Sequence, residues 1–230
     1  MSLLQVSDQI KGLSPVEALE QLCNLYPGKV VFTTSFGIED QVITDMIFKN
    51  DLPVRVITLD TGRLFEETYK VFSNTLKVYK KPIESFVPDT SDLEKLLNKK
   101  GPFSFHNSVK DRKECCYIRK VIPLNRSLEG MKIWITGIRK DQSSDRTDMS
   151  NIEEDRGRNM IKVHPIFEWS LKEVENYLGE NHVPYNELHK QGFISIGCQP
   201  CTRALKEGED FRAGRWWWEN DSGKECGLHK

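Results

Sequence analysis

Apolar positions along the chain follow two rhythms. Lys29-Val30-Val31-Phe32-Thr33-Thr34 and Val54-Arg55-Val56-Ile57-Thr58-Leu59 are short, nearly continuous apolar runs of the kind that buried strands require, and Ile133-Trp134-Ile135-Thr136-Gly137 is a third. Between the first two, Val42, Ile43, Met46 and Ile47 recur at helical spacing, and a further helix is predicted from about Phe65 to Val78. Ser14-Pro15 opens an N-capped helix through Leu22, and Pro27-Gly28 breaks the chain before the first strand. Strand, helix, strand, helix implies parallel pairing, because two parallel strands need a long crossover between them. Pro82–Val87 predicts another strand, Ser91-Asp92-Leu93-Glu94 caps another helix, and a helix carries Cys115, Cys116 and Lys120. Ile161–Ile166 predicts an edge strand interrupted by Pro165, and Ser170 with Glu173 opens the last helix by the logic of a capping box. The polar stretch from Asp141 to Asn159 reads as a mobile loop, and beyond about Lys206 the regular pattern fades. The fold class is therefore α/β: a doubly wound, mostly parallel sheet over residues 1–205, followed by a mobile C-terminal tail at 206–230.

Composition narrows the partners. Acidic and basic residues number 34 and 33, so no field of one sign recruits nucleic acid or a membrane surface. The first residues lack a basic segment followed by an apolar core of secretory length, and the expected location is the cytoplasm. In that reducing compartment six cysteines read as metal ligands or reactive thiols rather than as disulfides. Cys23, on an amphipathic helix, reads as a core residue.

Three loops at strand ends carry candidate binding chemistry, where ligands of open α/β sheets are found. Ser35-Phe36-Gly37 runs directly into a helix, so a hydroxyl and N-terminal N–H groups face a phosphate, or else Ser35 simply caps the helix. Asp60-Thr61-Gly62 follows the second strand and either joins in holding a nucleotide or caps its own helix. Arg139 follows the third, and Arg146 lies in the polar loop beyond it; both guanidinium forks suit anionic oxygens.

The cysteines are more specific. Cys115-Cys116 and Cys198-Gln199-Pro200-Cys201 supply four soft sulfur donors, a set that selects zinc or an iron–sulfur cluster over hard cations. Adjacent cysteines fit the usual spacing of structural zinc ligands poorly. Cys226 stands apart in a glycine-bearing tail, after Arg212, Arg215 and the run Trp216-Trp217-Trp218, which reads as a core or interface anchor. A lone thiol near cations is a candidate nucleophile.

Taken together, Ser-Phe-Gly-Ile-Glu-Asp, Leu-Asp-Thr-Gly-Arg, Cys-Cys-Tyr-Ile-Arg-Lys, Gly-Ile-Arg-Lys-Asp-Gln-Ser, Cys-Gln-Pro-Cys-Thr-Arg and the terminal Glu-Cys-Gly-Leu-His resemble the assimilatory sulfonucleotide reductases from about Lys29 to His229. The two cysteine pairs resemble the adenylyl-sulfate reductase branch of that family. The resemblance implies a sheet like that of the adenine nucleotide alpha hydrolases and one 4Fe-4S cluster on Cys115, Cys116, Cys198 and Cys201. It implies catalysis by Cys226, which takes the sulfonate of adenosine 5′-phosphosulfate as an S-sulfocysteine, and release of sulfite by thioredoxin or a similar dithiol protein, within sulfate assimilation and cysteine biosynthesis. Lys120, Arg212 and Arg215 match the family's cations and are assigned to the phosphosulfate. A homo-oligomeric assembly stays open.

Three alternatives accompany this reading. Lys80, Lys81, Arg156 or Arg158 could accept a 3′-phosphate, which makes the chain a phosphoadenylyl-sulfate or dual-substrate reductase. The same four thiols could instead stabilise a nucleotide sensor through zinc. The first loop alone also fits an ATP-pyrophosphatase.

Overall fold

The computed structural model describes residues 2–142 and 149–219. In chain order these contain α1 (Leu3–Ile10), α2 (Pro15–Leu25), β1 (Val30–Thr34), α3 (Ile38–Lys49), β2 (Arg55–Leu59), α4 (Glu66–Tyr79), β3 (Glu84–Phe86) and α5 (Thr90–Lys100). They continue with α6 (Val109–Cys116), α7 (Ile122–Leu128), β4 (Ile133–Ile135), β5 (Ile152–Asp155), β6 (Met160–Val163) and α8 (Leu171–Glu180). A π-helical turn, Tyr117–Val121, joins α6 to α7.

The strands form one sheet in the order β3-β2-β1-β4-β6-β5. β1 pairs in parallel with β2 and with β4, and β4 pairs in parallel with β6. This is the doubly wound, mostly parallel sheet predicted from the sequence. The chain winds outward from β1 to β2 and then returns to the other side of β1 with β4, so the switch point lies between β1 and β4, where such sheets bind ligands.

Local chemistry explains most element boundaries. Ser14 accepts from Glu17 N–H while Glu17 reaches back to Ser14 N–H at 2.8 Å, and Ser170 with Glu173 repeats this reciprocal cap. The fifth helix starts earlier than its predicted cap: Asp89, not Ser91, accepts from Asp92 N–H, so the first turn begins at Thr90. The strand at Met160–Val163 is not an edge. β5, inside the stretch predicted as a loop, pairs antiparallel with it and takes the edge position, while Pro165 falls beyond the last paired residue and interrupts nothing. Among the described residues no helix is long and apolar enough to cross a membrane.

The chain divides into two compact units. The first comprises residues up to Thr58, Glu67–Glu84 and Gly130–Asn186. Its core packs Leu19, Leu22, Phe32, Ile43, Ile47, Ile133 and Ile135 around the sheet, and each such fully buried side chain stabilises by roughly 1.5–3 kcal/mol relative to exposure. The second comprises Leu59–Glu66, Ser85–Glu129 and the chain from Glu187 on. Its core is small and built largely of sulfur and aromatic groups: Cys115, Cys116, Cys198, Cys201, Phe105, Leu96 and Trp216.

Candidate active site

In the first unit the loops after β1 and β4 are tied together by two consecutive carboxylates of α3. Asp40 Oδ2 accepts from both the backbone N–H and the hydroxyl of Ser35, each at 2.6 Å, and the Gly137 N–H also donates to this carboxylate. Glu39 Oε1 accepts from Arg139 Nε at 3.0 Å and Nη2 at 2.9 Å. Gly137 is required by this packing, since a Cβ there would collide with Asp40 Oδ1 and stand 3.2 Å from the Asp40 nitrogen. Burial drives the Asp40 carboxyl up to about 6, against the Ser35 hydrogen bonds and with help from neighbouring Glu39.

The sequence-predicted residues of this unit take distinct parts. Ser35 is exposed at the mouth of the turn and Gly37 is the N-cap of α3, with no side-chain cap of its own. Phe36 has φ +61° and turns its ring inward onto Phe72, centroids 4.9 Å apart, so the turn presents backbone at this position. Arg139 is only 2% exposed and, besides Glu39, donates to the Trp169 carbonyl at 3.2 Å. Arg146 lies outside the described residues.

The second unit gathers the other candidates around sulfur. Cys115 and Cys116 end α6, and the π-helical turn that follows shifts the helical phase so that Arg119 and Lys120 line the same pocket as the cysteines. Such single π turns are frequent at functional sites. Cys198 and Cys201 bracket a 3₁₀ turn in which Cys201 N–H donates to Cys198 carbonyl at 2.9 Å. Two further ties hold that turn: Gln199 N–H donates to Arg63 carbonyl at 2.8 Å, and Trp216 N–H donates to Cys201 carbonyl at 3.2 Å. All four cysteines are free thiols, each 8% exposed.

Asp60 Oδ1 accepts from Gly62 N–H at 2.8 Å, which folds the loop after β2. Thr61 faces the sulfur site: its hydroxyl is 3.3 Å from Cys198 Sγ, and its carbonyl accepts from Arg119 Nη1 at 2.6 Å. Arg215 is 7% exposed and stacks 4.7 Å from the Trp216 ring centroid, with Arg112 at 4.5 Å and Arg212 at 6.0 Å from the same ring. Arg215 packs so closely against Gly197 that a Cβ there would stand 2.6 Å from its Cζ. Cys226 lies outside the described residues.

The field at the cysteines is positive. Burial raises the Cys198 thiol, but Lys120, the Thr61 hydrogen bond, Arg215 and Arg119 outweigh it and hold that thiol below its ordinary range. Cys201 is driven up to about 12 by burial and by the neighbouring Cys198 and Cys116. Four buried sulfurs that repel one another as thiolates, within a ring of cations, suit a shared metal centre that neutralises them. Three buried N–H groups here, Arg119 Nε, Arg215 Nε and Trp216 Nε1, have no hydrogen-bond partner among the described residues, and a buried orphan donor is costly unless an acceptor joins it. Among the described residues no three His, Cys, Asp or Glu are gathered closely enough for one metal ion. A single zinc needs its sulfurs about 3.8 Å apart, from Zn–S bonds of ~2.3 Å in a tetrahedron. An iron–sulfur cluster spreads its ligands wider, since each thiolate binds a different iron.

Sequence reasoning passed over Arg63, Arg112 and Arg119. Arg63 and Arg119 stood inside the quoted motifs. Arg112 precedes Cys115 by three residues, hence on the same helical face, and that spacing was the available signal. Its partner is Glu219: Arg112 Nε and Nη2 donate to the two carboxylate oxygens at 2.8 Å each.

The chain matches the family model described as the phosphoadenosine phosphosulfate reductase domain over residues 29–204. A protein of Agrobacterium fabrum named adenosine 5′-phosphosulfate reductase is 48% identical over 202 residues, covering 88% of this chain and 78% of that one. One of the same name from Neisseria meningitidis serogroup B is 48% identical over 200 residues, 86% of this chain and 81% of the relative. Among solved structures, the phosphoadenylyl-sulfate (PAPS) reductase of Candida auris, in a phosphate complex, superposes with TM-score 0.76 at 29% identity, covering 87% of this chain and 96% of that one. An FMN adenylyltransferase of Candida glabrata shares the fold alone, at 14% identity and TM-score 0.52. A model match over most of the chain, together with relatives at nearly half identity over about four fifths of their length, places this protein in the phosphoadenosine phosphosulfate reductase family.

Proposed function

We propose that this protein reduces adenosine 5′-phosphosulfate to sulfite and AMP at the expense of a thioredoxin-like dithiol, in the cytoplasm and within sulfate assimilation. The observation that carries this reading is the buried four-cysteine set ringed by cations, in a chain whose relatives bear that activity in their names. Cys115, Cys116, Cys198 and Cys201 would hold one 4Fe-4S cluster, and when bound the cluster adds its charge to the field rather than carrying the electrons.

The chemistry then falls to this chain's own residues. The Cys226 thiolate attacks the sulfonate sulfur, an S–S bond forms, and the S–O bond breaks with its electron pair leaving on AMP. AMP is a weakly basic leaving group, so no strong general acid is required. A thiolate of the dithiol partner next attacks Cys226 Sγ; sulfite departs with the electron pair, and the second thiol resolves the mixed disulfide and restores Cys226. In this reading Ser35, Phe36, Gly37, Asp60, Thr61, Gly62 and Arg146 serve the nucleotide, Arg139 braces their loops through its buried pair with Glu39 rather than by contact, and Lys120, Arg212 and Arg215 serve the phosphosulfate. The cations cancel the anionic repulsion between thiolate and substrate and are held in place beforehand. Residues 206–219 are held in the second unit by buried Trp216 and the Arg112–Glu219 pair, so any opening that admits the partner to Cys226 would lie beyond Glu219.

Preference for the substrate without a 3′-phosphate has support of its own. Three of the four cations weighed for that phosphate already carry acidic partners: Lys81 with Asp51, Arg156 with Glu154 and Arg158 with Asp155.

A sulfite assay with both sulfonucleotides side by side, on anaerobically purified protein with thioredoxin, tests the reading. Sulfite from adenosine 5′-phosphosulfate in strong excess, with bound iron and no zinc, is the expected result. ATP-dependent release of AMP and pyrophosphate without sulfite, or stoichiometric zinc without iron, would reject it.

Lys120→Ala and Arg215→Ala are expected to slow adduct formation on Cys226 by about 10²–10³-fold, as the loss of one preorganised cation does, with iron content unchanged. Gly197→Ala pushes the Arg215 guanidinium out of its slot and should give a milder loss of the same kind. Single-turnover rates by quenched mass spectrometry check all three, and unchanged rates would remove these residues from the phosphosulfate.

A further inference from the structure

The hydroxyl of Ser35 is already committed. Its oxygen and its backbone nitrogen both lie 2.6 Å from the same oxygen of Asp40. An ionised carboxylate only accepts hydrogen bonds, so the single hydroxyl proton of Ser35 must point at Asp40. What Ser35 then offers to an arriving phosphate or sulfonate is lone pairs, which repel it. A protonated Asp40 reverses the bond: its O–H donates to Ser35 Oγ, and the hydroxyl proton of Ser35 turns outward as a donor. Resting on the function proposed above, we propose that Asp40 is a positioning residue that sets the donor direction of Ser35 and takes up one proton when the sulfonucleotide anion binds.

Asp40 cannot release Ser35 by swinging away. The carboxylate is buried in a slot closed by Gly137, whose absent side chain leaves room for Oδ1 and no more, and the Gly137 N–H holds it there. The position of the proton is the remaining freedom.

The charges around Asp40 make uptake feasible near neutral pH. Glu39, beside it on α3, is neutralised by Arg139 from the loop after β4. Tyr79 of α4 and Tyr177 of α8 are spent on Asp45, farther along α3, at 2.5 and 2.8 Å. Thr34 of β1 accepts from Phe36 N–H at 3.1 Å. The unliganded carboxyl already sits at about 6, chiefly through burial. A bound anion raises it further, because a second negative charge nearby disfavours the ionised form.

The test uses the full chain carrying Cys226→Ser, so that adenosine 5′-phosphosulfate binds without turnover, and the ligand has no ionisation of its own between pH 6 and 8. Calorimetric titration at pH 7.5 in two buffers of different ionisation enthalpy should show uptake approaching one proton, with Kd rising about tenfold per pH unit between 7 and 8. Ser35→Ala, added to that protein, keeps both backbone donors to Asp40 and hence the turn. It should bind more weakly, with reduced proton uptake and a shallower pH profile, because the anion still acts on the Asp40 carboxyl while the donor switch is gone, and Asp40→Asn should lose the exchange altogether. A pH-independent Kd without proton exchange in the Cys226→Ser protein, or a proton uptake and pH slope unchanged by Ser35→Ala, overturns the inference and leaves the proposed function standing. Failure of adenosine 5′-phosphosulfate to bind at any pH overturns the proposed function, and the inference with it.

Discussion

Serine in place of Cys226 is expected to abolish sulfite formation while leaving the iron content and nucleotide binding intact. A serine hydroxyl is almost wholly protonated at neutral pH, and no general base has been assigned to deprotonate it, so the nucleophile itself is lost. Because Cys226 is not one of the four buried cysteines, the proposed cluster has no reason to change. Intact mass spectrometry gives the sharper readout. Wild-type protein mixed with adenosine 5′-phosphosulfate and no dithiol should gain the mass of one sulfonate group, and the serine variant should gain none. If sulfite accumulates with the serine variant, or if wild-type turns over with Cys226 unmodified at every time point, the covalent route is wrong.

The features legible in the sequence are those determined locally. The reciprocal caps at Ser14 and Ser170 need only residues three apart, and β1, β2 and β4 declare themselves as apolar runs because both their faces are covered. β5 did not, since Ile152-Glu153-Glu154-Asp155 has the composition of a solvated loop and becomes a strand only through its pairing with β6 at the sheet edge. The site divides in the same way. Cysteine is scarce enough that two spaced pairs stand out, and the structure gathers those four into one core. Arginine is common at surfaces, so beyond the spacing of Arg112 from Cys115 the sequence does not mark Arg112 or Arg119 as buried; that depends on partners far along the chain, Glu219 for one and the Thr61 carbonyl for the other. Phe36 illustrates the converse: a residue inside a legible loop motif whose side chain belongs to the core, because a left-handed backbone turn rotates it inward.

The Arg112–Glu219 pair should therefore be the most sensitive point of the second unit. The side chains are 1% and 4% exposed, the bond is bidentate, and the guanidinium stacks 4.5 Å from the Trp216 centroid. Glu219→Gln keeps the shape and one acceptor but leaves a buried guanidinium without its counter-charge, and loss of one partner from such a pair costs about 3–5 kcal/mol. Urea unfolding of the anaerobically purified protein, followed by tryptophan fluorescence, should register that loss as a lowered midpoint with unchanged slope. The double variant Arg112→Met with Glu219→Leu removes both charges at similar volume and should recover most of the midpoint, since it also removes the desolvation penalty. Iron retention then separates two roles for the guanidinium, which lines the cysteine pocket. A double variant that is stable and still holds iron makes the pair a packing device for the chain leading to Cys226, seven residues beyond Glu219. One that is stable but loses iron makes Arg112 part of the positive field that the four thiolates require.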